Sequence, residues 1–179
     1  MNRNEMINKI NDNVNIYDFI IIGGGATGIG IALEASARGY SVILLEKADF
    51  TKSTSSKSTK LAHGGVRYLA QGNISLVREA VIERGLLVKN APHLVNDLSF
   101  IIPAQGFFEE LLYTIVLTFY DLLAGKLSLG HSRWISKSKT LKRISTIKPN
   151  KVSGGVVYHD AQFDDTRLAI NRSWKSFGG

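Results

Sequence analysis

A glycine-rich turn near the start of the chain has the residue types and spacing to bind phosphate. Gly23, Gly25 and Gly28 follow the pattern G-x-G-x-x-G, directly after the apolar run at residues 17–22. In such a turn the first glycine permits a tight bend, the second lets backbone approach a pyrophosphate, and the third allows close helix packing. The N-terminus of the following helix supplies unpaired N–H groups and partial positive charge. The pattern therefore predicts a binding site for the pyrophosphate of a dinucleotide.

The segments on either side of the turn predict the β-α-β unit that this chemistry requires. Residues 17–22 are β-branched and aromatic, as expected of a buried parallel strand, and residues 41–46 form a second such run. Between them, residues 26–38 have helical spacing and Gly39 ends the helix. The fold class predicted is α/β, with a Rossmann-like β-α-β unit on a parallel sheet.

An acidic residue stands where such units bind an adenosine ribose. Glu46 lies 23 residues after Gly23, at the end of the second strand. A carboxylate there accepts hydrogen bonds from ribose hydroxyls and disfavours a 2′-phosphate, which argues against NADP. The β-α-β unit alone leaves NAD and FAD open.

Two further segments contain residues that could bind a ligand, but each segment alone also has a purely structural interpretation. Residues 51–60 are rich in hydroxyls and lysines, which suits either a flexible linker or a loop that donates hydrogen bonds. Residues 61–69 read LAHGGVRYL, in which Arg67 could bind a phosphate or form a surface ion pair. His63 alone is more typical of a packed histidine than of a catalytic base.

The net charge of +7 comes from one segment of the chain. No helix-turn-helix, zinc-finger or aromatic RNA-binding pattern accompanies it, so we expect no nucleic-acid partner. The segment suits either a solvated loop region or a surface that faces anionic phospholipid. Its eight basic residues, without an acidic one among them, are Lys126, Arg133, Lys137, Lys139, Lys142, Arg143, Lys148 and Lys151.

Composition excludes several other kinds of site and segment. The sequence has no cysteine, which excludes disulfides, thiolate metal sites and a cysteine nucleophile, and we expect no metal. The apolar run at residues 111–119 is about half the roughly 20 residues that a transmembrane helix needs. Residues 1–15 contain six asparagines and predict a disordered tail.

The remaining pattern predicts further helices and strands but too few strands for a complete sheet. Arg84 is placed on the polar face of its helix, Pro103 is expected to end a strand, and Asp164 to cap the last helix. About four strands can be counted, so residues 16–179 are interpreted as the N-terminal part of a larger domain, truncated at its C-terminus. The predicted helices span 74–91, 107–124 and 164–177, and the predicted strands span 98–102 and 155–159.

Six strings in order resemble the N-terminal portion of FAD-dependent glycerol-3-phosphate dehydrogenases, within the flavoprotein superfamily that includes D-amino-acid oxidase. The first string occurs in many flavoproteins, whereas SSK followed by HGGVRYL is much narrower and carries the resemblance. The strings are IIGGGATGIGIA, LLEKADF, TSSKSTKLAHGGVRYL, APHL, YDLLAGK and YHDAQFDDTRL.

The resemblance implies FAD as cofactor and a role for each matching position. The three glycines of the first turn would bind the pyrophosphate and Glu46 the ribose. Arg67 and Tyr68 would lie at the substrate end, at the start of a substrate-binding region, and the catalytic residues would lie beyond position 179. The other implied cofactor-binding residues are Ser55, Ser56, Lys57, Ser58 and Lys60 beside the FAD, and His63, Gly64 and Gly65 in a turn against the flavin.

The same resemblance implies a reaction and a location. The reaction is oxidation of sn-glycerol 3-phosphate to dihydroxyacetone phosphate, with electrons passed to a membrane quinone. The location is cytoplasmic, peripheral on the inner face of the cell membrane. The alternatives are a glycerol-3-phosphate oxidase that uses oxygen, an inactive nucleotide-binding fragment, and, least favoured, an NAD-dependent dehydrogenase.

Overall fold

The computed structural model describes residues 2–11 and 16–177, with side chains up to residue 171. The chain divides into two compact units. Unit 1 contains the described residues up to Lys60 together with those from Asp164 onward, and unit 2 is Leu61–Phe163.

Unit 1 contains the predicted β-α-β arrangement. Strand β1 (Phe19–Ile22) pairs in parallel with β2 (Val42–Leu45), and helix α2 (Ala26–Ala37) connects them. The parallel register follows from the crossover helix, because a hairpin cannot join parallel strands. This confirms the α/β fold class with a parallel sheet.

Two further helices belong to unit 1. Helix α1 (Arg3–Asn11) lies where the sequence predicts a disordered tail, and residues 12–15 of that tail are outside the described residues. Its first turn is stabilised by Asn2, whose side-chain oxygen accepts a hydrogen bond from the Asn4 N–H at 3.1 Å. At the other end of the chain, helix α7 (Asp165–Phe177) begins as expected, since Asp164 accepts a hydrogen bond from the Arg167 N–H at 2.9 Å.

Unit 2 is built on an antiparallel sheet rather than on further parallel strands. Its central strand is β6 (Gly154–Phe163), which pairs with each of the other three. The strands predicted at residues 98–102 and 155–159 both belong to this sheet, and they pair antiparallel with each other. The other strands are β3 (Leu61–Ala62), β4 (Val95–Ala104) and β5 (Arg133–Ser136).

Strand β4 continues through Pro103, which the sequence analysis placed at its end. Pro103 lies opposite Gly155 in the ladder. Within the described residues β4 is an edge strand, so its outward side does not need the N–H group that proline lacks.

Helices cover the sheet of unit 2 and form its core. Val77 and Val81 of α4 pack with Tyr120 and Ala124 of α5, and all four are buried. Across residues 2–11 and 16–177, no helix combines the length and apolar character that spanning a bilayer requires. The helices are α3 (Val66–Leu69), α4 (Ile74–Asn90), α5 (Phe107–Ala124) and α6 (Lys137–Arg143).

Candidate functional site

Unit 1 has a cavity of about 290 Å³ beside the glycine turn. The turn, the end of β2 and the hydroxyl-rich loop all contribute to its walls. Gly25, Glu46, Ser55 and Lys57 line it, so the structure brings four of the predicted cofactor-binding residues together.

The three glycines of the motif each meet a different geometric demand. Gly23 has a φ of +110°, which side chains strongly disfavour. A Cβ on Gly28 would lie 2.0 Å from the Gly23 carbonyl oxygen, so only glycine lets α2 approach the strand. A Cβ on Gly25 would meet only the Ser55 hydroxyl, at 3.2 Å, within the described residues. Gly25 is therefore not required by packing, which suits a role in admitting a ligand.

The first turn of α2 is completed by the hydroxyl-rich loop. The Ser55 hydroxyl oxygen accepts a hydrogen bond from the Ala26 N–H at 2.9 Å. This bond satisfies one of the unpaired donors of the helix N-terminus and fixes the loop against the glycine turn. Ser55 thus shapes the phosphate-binding end of the helix.

The Glu46 carboxylate is held by backbone donors at the end of β2. One oxygen accepts the Gly24 N–H at 2.8 Å and the other accepts the Ala48 N–H at 2.9 Å. The hydrogen bond from Gly24, followed by that from Ala48, lowers the pKa of Glu46 and keeps the group anionic. Each oxygen retains acceptor capacity, so the carboxylate can still bind ribose hydroxyls.

Two of the predicted loop residues instead contact Asp165. The Ser58 hydroxyl donates to Asp165 at 2.8 Å, and the Lys60 ammonium donates to it at 2.6 Å. The hydrogen bonds from Lys60 and then Ser58 lower the pKa of Asp165 to about 2. These contacts attach the loop to the start of α7. Ser56 is also engaged locally, donating to the Ser53 carbonyl oxygen at 3.3 Å.

Thr51 also lines the cavity, although the sequence pattern did not predict it as a site residue. Its φ is +59°, a strained value for a β-branched residue, and it is 3% exposed. Its N–H donates to the Gly24 carbonyl oxygen at 2.9 Å, while its buried hydroxyl has no hydrogen-bond partner among the described residues. Strain and an unpartnered hydroxyl together are typical of a ligand-binding position.

Unit 2 has its own cleft, of about 580 Å³. His63, Gly65, Arg67 and Tyr68 line one side of it. The sheet supplies Phe100, Tyr158 and Asp160, none of which the sequence analysis assigned to a site.

Arg67 is the cation of this cleft that remains available. Its side chain is exposed, and no carboxylate among the described residues forms an ion pair with it. The alternative of a surface ion pair is thus not what the structure shows. A free guanidinium presents the planar donors that suit a phosphate.

Gly64 is buried and faces the core, unlike the residues around it. Its N–H donates to the Tyr120 hydroxyl oxygen at 2.8 Å, and an added Cβ would lie 2.2 Å from Val81. Gly65, next in the chain, has a φ of +71°. Close packing at one glycine and a left-handed conformation at the other give the turn its shape.

Arg84 is buried beneath the cleft, although the sequence placed it on the exposed face of α4. It is 3% exposed, and its guanidinium donates to Asp160 at 2.5 Å. The prediction was wrong because Arg84 lies seven positions after Val77 and so shares its buried face. The ion pair compensates the charge of Asp160, whereas Arg67 has no such carboxylate partner among the described residues.

The family assignment rests on comparison with known proteins. The family model described as "FAD dependent oxidoreductase" matches residues 18–171. The chain belongs to this FAD-dependent oxidoreductase family.

The chain is similar to proteins named glycerol-3-phosphate dehydrogenase, in agreement with the resemblance seen in the sequence. The mitochondrial glycerol-3-phosphate dehydrogenase of Saccharomyces cerevisiae is 43% identical over 85% of this chain and 24% of its own length. The aerobic glycerol-3-phosphate dehydrogenase of Staphylococcus haemolyticus is 43% identical over 86% of this chain and 28% of its own length. The chain spans about a quarter of the length of these relatives.

The fold of the chain is similar to that of a glycerol-3-phosphate dehydrogenase crystal structure. The glycerol-3-phosphate dehydrogenase from Bacillus halodurans, complexed with FAD, superimposes with a TM-score of 0.66 at 27% identity. The match covers 97% of this chain and 27% of that one.

The residues of unit 1 fit FAD, the cofactor of this oxidoreductase family. Gly25 lines the cavity at the N-terminus of α2 without a side chain of its own, and Glu46 is anionic with spare acceptor capacity. The Thr51 hydroxyl supplies a buried donor without a protein partner among the described residues. These groups match a diphosphate and ribose hydroxyls in chemistry.

The described residues contain no grouping of three or more His, Asp or Glu side chains that could hold a metal ion.

Proposed function

We propose that this flavoprotein oxidises sn-glycerol 3-phosphate to dihydroxyacetone phosphate and passes the electrons to a membrane quinone. The observation that carries the proposal is Arg67, which lines the cleft of unit 2 beside His63 and Tyr68 and has no ion-pair partner among the described residues. The names of the relatives, dehydrogenases of glycerol 3-phosphate, support the same substrate.

In this proposal the cleft selects a small anionic substrate by charge. Asp160 is paired with Arg84, so its carboxylate does not repel a phosphate. Arg67 would donate two parallel hydrogen bonds to the phosphate oxygens, which fixes the substrate's orientation as well as its position. Tyr68, 42% exposed, would close the same side of the cleft.

We propose that the residues of unit 1 hold the nucleotide part of FAD. Gly23, Gly25 and Gly28 would admit the diphosphate at the start of α2, and Glu46 would accept the ribose hydroxyls. Lys57 lines the same cavity and would add positive charge near the phosphates. Bound FAD supplies the oxidant that accepts hydride from the substrate carbon.

The turn of unit 2 is the proposed contact with the flavin. His63 is exposed and Gly65 lines the cleft, so a ligand in the cleft can contact both residues. Ser56, Ser58 and Lys60 are proposed to act through the loop they stabilise, because each is already engaged within unit 1.

We further propose that the enzyme works at an anionic membrane surface, on the cytoplasmic side. The start of α5 exposes apolar side chains, with Phe107 71% and Phe108 85% exposed. Trp134 donates to Glu110 in the same first turn at 2.8 Å, and the basic helix α6 follows Trp134 by three residues. Exposed aromatics near lysines and arginines favour binding to anionic lipid.

The substrate is tested by mixing the FAD-loaded full-length protein with glycerol 3-phosphate without oxygen and following the flavin absorbance. We expect bleaching with glycerol 3-phosphate and none with glycerol, which lacks the phosphate. No bleaching with either compound would reject the substrate.

The electron acceptor is tested by reoxidising the bleached protein. Faster reoxidation by a soluble quinone analogue than by oxygen is expected. Rapid peroxide formation would instead assign an oxidase.

The membrane surface is tested by sedimentation with vesicles that contain anionic lipid. We expect co-sedimentation at low salt that weakens at high salt, and a loss in the double variant Phe107→Ser, Phe108→Ser. A protein that stays in the supernatant at low salt would refute this part of the proposal.

A further inference from the structure

Beneath the cleft of unit 2 lies a buried polar cluster that the proposed reaction does not use directly. It consists of Arg84 on α4, Tyr120 on α5 and Asp160 on β6, which are 3%, 0% and 3% exposed. Three separate elements therefore converge on one point in the core. Buried charged groups are costly unless they are paired, so such a cluster requires an explanation.

The hydrogen bonds within the cluster are closely interlinked. Asp160 accepts from Arg84 at 2.5 Å and from the Tyr120 hydroxyl at 2.7 Å, both on the same oxygen. Arg84 also donates to the Tyr120 hydroxyl oxygen at 3.1 Å and to the His159 carbonyl oxygen at 3.0 Å. Burial is the first cause that raises the pKa of Tyr120, so its hydroxyl remains protonated and can donate to Asp160.

The cluster also contacts the wall of the cleft. The Gly64 N–H donates to the Tyr120 hydroxyl oxygen at 2.8 Å, and it lies 3.4 Å from the same Asp160 oxygen. Gly64 stands between His63 and Gly65, which line the cleft, and three residues before Arg67. Asp160 itself also lines the cleft.

We propose that Arg84, Asp160 and Tyr120 are positioning residues, which hold the His63–Gly64–Gly65 turn and thereby place Arg67 for binding the phosphorylated substrate. The inference rests on the proposed function for the identity of that substrate. The Tyr120 hydroxyl is the central link, because it accepts from the turn and donates to the carboxylate. Arg84 keeps that carboxylate compensated so that the cleft remains positive.

A single hydroxyl deletion tests the link without removing the ring from the core. Tyr120→Phe keeps the apolar contacts with Val77 and Val81 but leaves the Gly64 N–H without its closest acceptor. The matched control is Tyr113→Phe on the same helix, because the Tyr113 hydroxyl forms no hydrogen bond with the described residues.

The measurement is stopped-flow reduction of the bound FAD by glycerol 3-phosphate, well below the unfolding temperature of each variant. We expect Tyr120→Phe to weaken the apparent affinity for the substrate roughly tenfold, the effect of a cost near 1.4 kcal/mol. Tyr113→Phe should match the wild type. Tyr120→Phe with a lower unfolding temperature but unchanged affinity and rate would overturn the inference.

A second pair of variants tests the charge compensation. Arg84→Lys keeps a cation that can reach Asp160, whereas Arg84→Met keeps only the length of the side chain. We expect Lys to retain affinity within a few-fold of the wild type and Met to lose it. Equal affinities in the two folded variants would overturn the role of Arg84.

The visible absorption spectrum of the bound FAD separates this inference from the proposed substrate. If glycerol 3-phosphate does not reduce the flavin of the wild-type protein, the proposed substrate is excluded. In that case a spectrum shifted in Tyr120→Phe but not in Tyr113→Phe would still support a positioned turn. Identical spectra in all three proteins would reject it.

Discussion

The carboxylate of Glu46, at the end of β2, accepts a hydrogen bond from the Gly24 N–H of the glycine turn at 2.8 Å. The motif's acidic residue and its glycine turn are therefore joined directly, before any ligand is considered. The contact orders the turn and presents the remaining acceptor positions of the carboxylate to the cavity.

We expect Glu46→Gln to weaken FAD binding by about ten- to a hundredfold, because hydrogen bonds to a charged acceptor contribute about 1.5–3 kcal/mol. Fluorescence titration with FAD measures the dissociation constant. Glu34→Gln is the matched control, since the contact that the Glu34 carboxylate makes among the described residues is an exposed ion pair with Arg38, next to α2. An unchanged dissociation constant for Glu46→Gln would contradict the ribose assignment.

Gly28→Ala should destabilise the fold, whereas Gly30→Ala should not. The new Cβ at position 28 would lie 2.0 Å from a backbone oxygen, and none of the described atoms lies within 4 Å of one at position 30. We expect a loss of about 2 kcal/mol or more for the first and a gain of up to about 1 kcal/mol for the second. Urea unfolding of both variants measures the difference. Equal midpoints would show that α2 does not need the close approach.

Gly25→Ala should affect ligand binding more than stability. Position 25 has φ −84° and ψ −178°, which alanine adopts readily, and only Ser55 lies near the added Cβ. We expect unfolding within about 0.5 kcal/mol of the wild type and an FAD affinity reduced at least tenfold. Full FAD affinity would show that the cofactor does not approach this backbone.

In the full-length protein, Arg67→Ala should raise KM for glycerol 3-phosphate strongly and leave FAD content near normal. The guanidinium is proposed to bind the phosphate, and a lost charge-assisted contact of about 2–3 kcal/mol corresponds to a factor of thirty or more. Arg78→Ala, which removes an exposed arginine of α4, controls for net charge. Steady-state kinetics of the two variants at equal FAD content decide the matter. Matching KM values would remove Arg67 from the substrate site.

Asp165→Asn should lower stability in a pH-dependent way. Hydrogen bonds from Lys60 and Ser58 hold the pKa of Asp165 at about 2 in the folded state, below its usual 3.8. A carboxyl group whose pKa is lower in the folded state contributes its full stabilisation at pH values above its pKa in the unfolded state. That contribution is lost as the pH falls toward its pKa in the folded state.

We therefore expect the variant to unfold several degrees below the wild type at pH 7. The two melting temperatures should converge between pH 4 and about pH 2, the pKa of Asp165 in the folded state. A gap that stays constant over this range would show that the ion pair does not stabilise the loop.

The sequence was most informative where neighbouring residues decide the structure. The first strand, the glycine turn and α2 follow from local hydrophobic spacing and from steric demands at Gly23 and Gly28. The capping role of Asp164 was likewise readable from its place before the last helix. In each case the contacts that matter lie within a few residues, or between a strand and the helix that follows it.

Unit 2 was much less predictable. Its strands carry no signal that separates antiparallel from parallel pairing. Pro103 would end a strand only where the sheet requires an N–H at that position. Arg84 was assigned to the wrong face because charge was taken as a sign of exposure, whereas a buried carboxylate 76 residues away provides its partner.

The sequence by itself determined the β-α-β unit, its dinucleotide motif and, through the narrow HGGVRYL string, the family. The tertiary structure decided which of the predicted site residues are free to act. Arg67 has no ion pair among the described residues. Ser58 and Lys60 donate hydrogen bonds to Asp165. Arg84 lies under the cleft, where it pairs with Asp160. These outcomes depend on contacts between residues far apart in the chain, and neither composition nor local periodicity encodes which distant charges will meet.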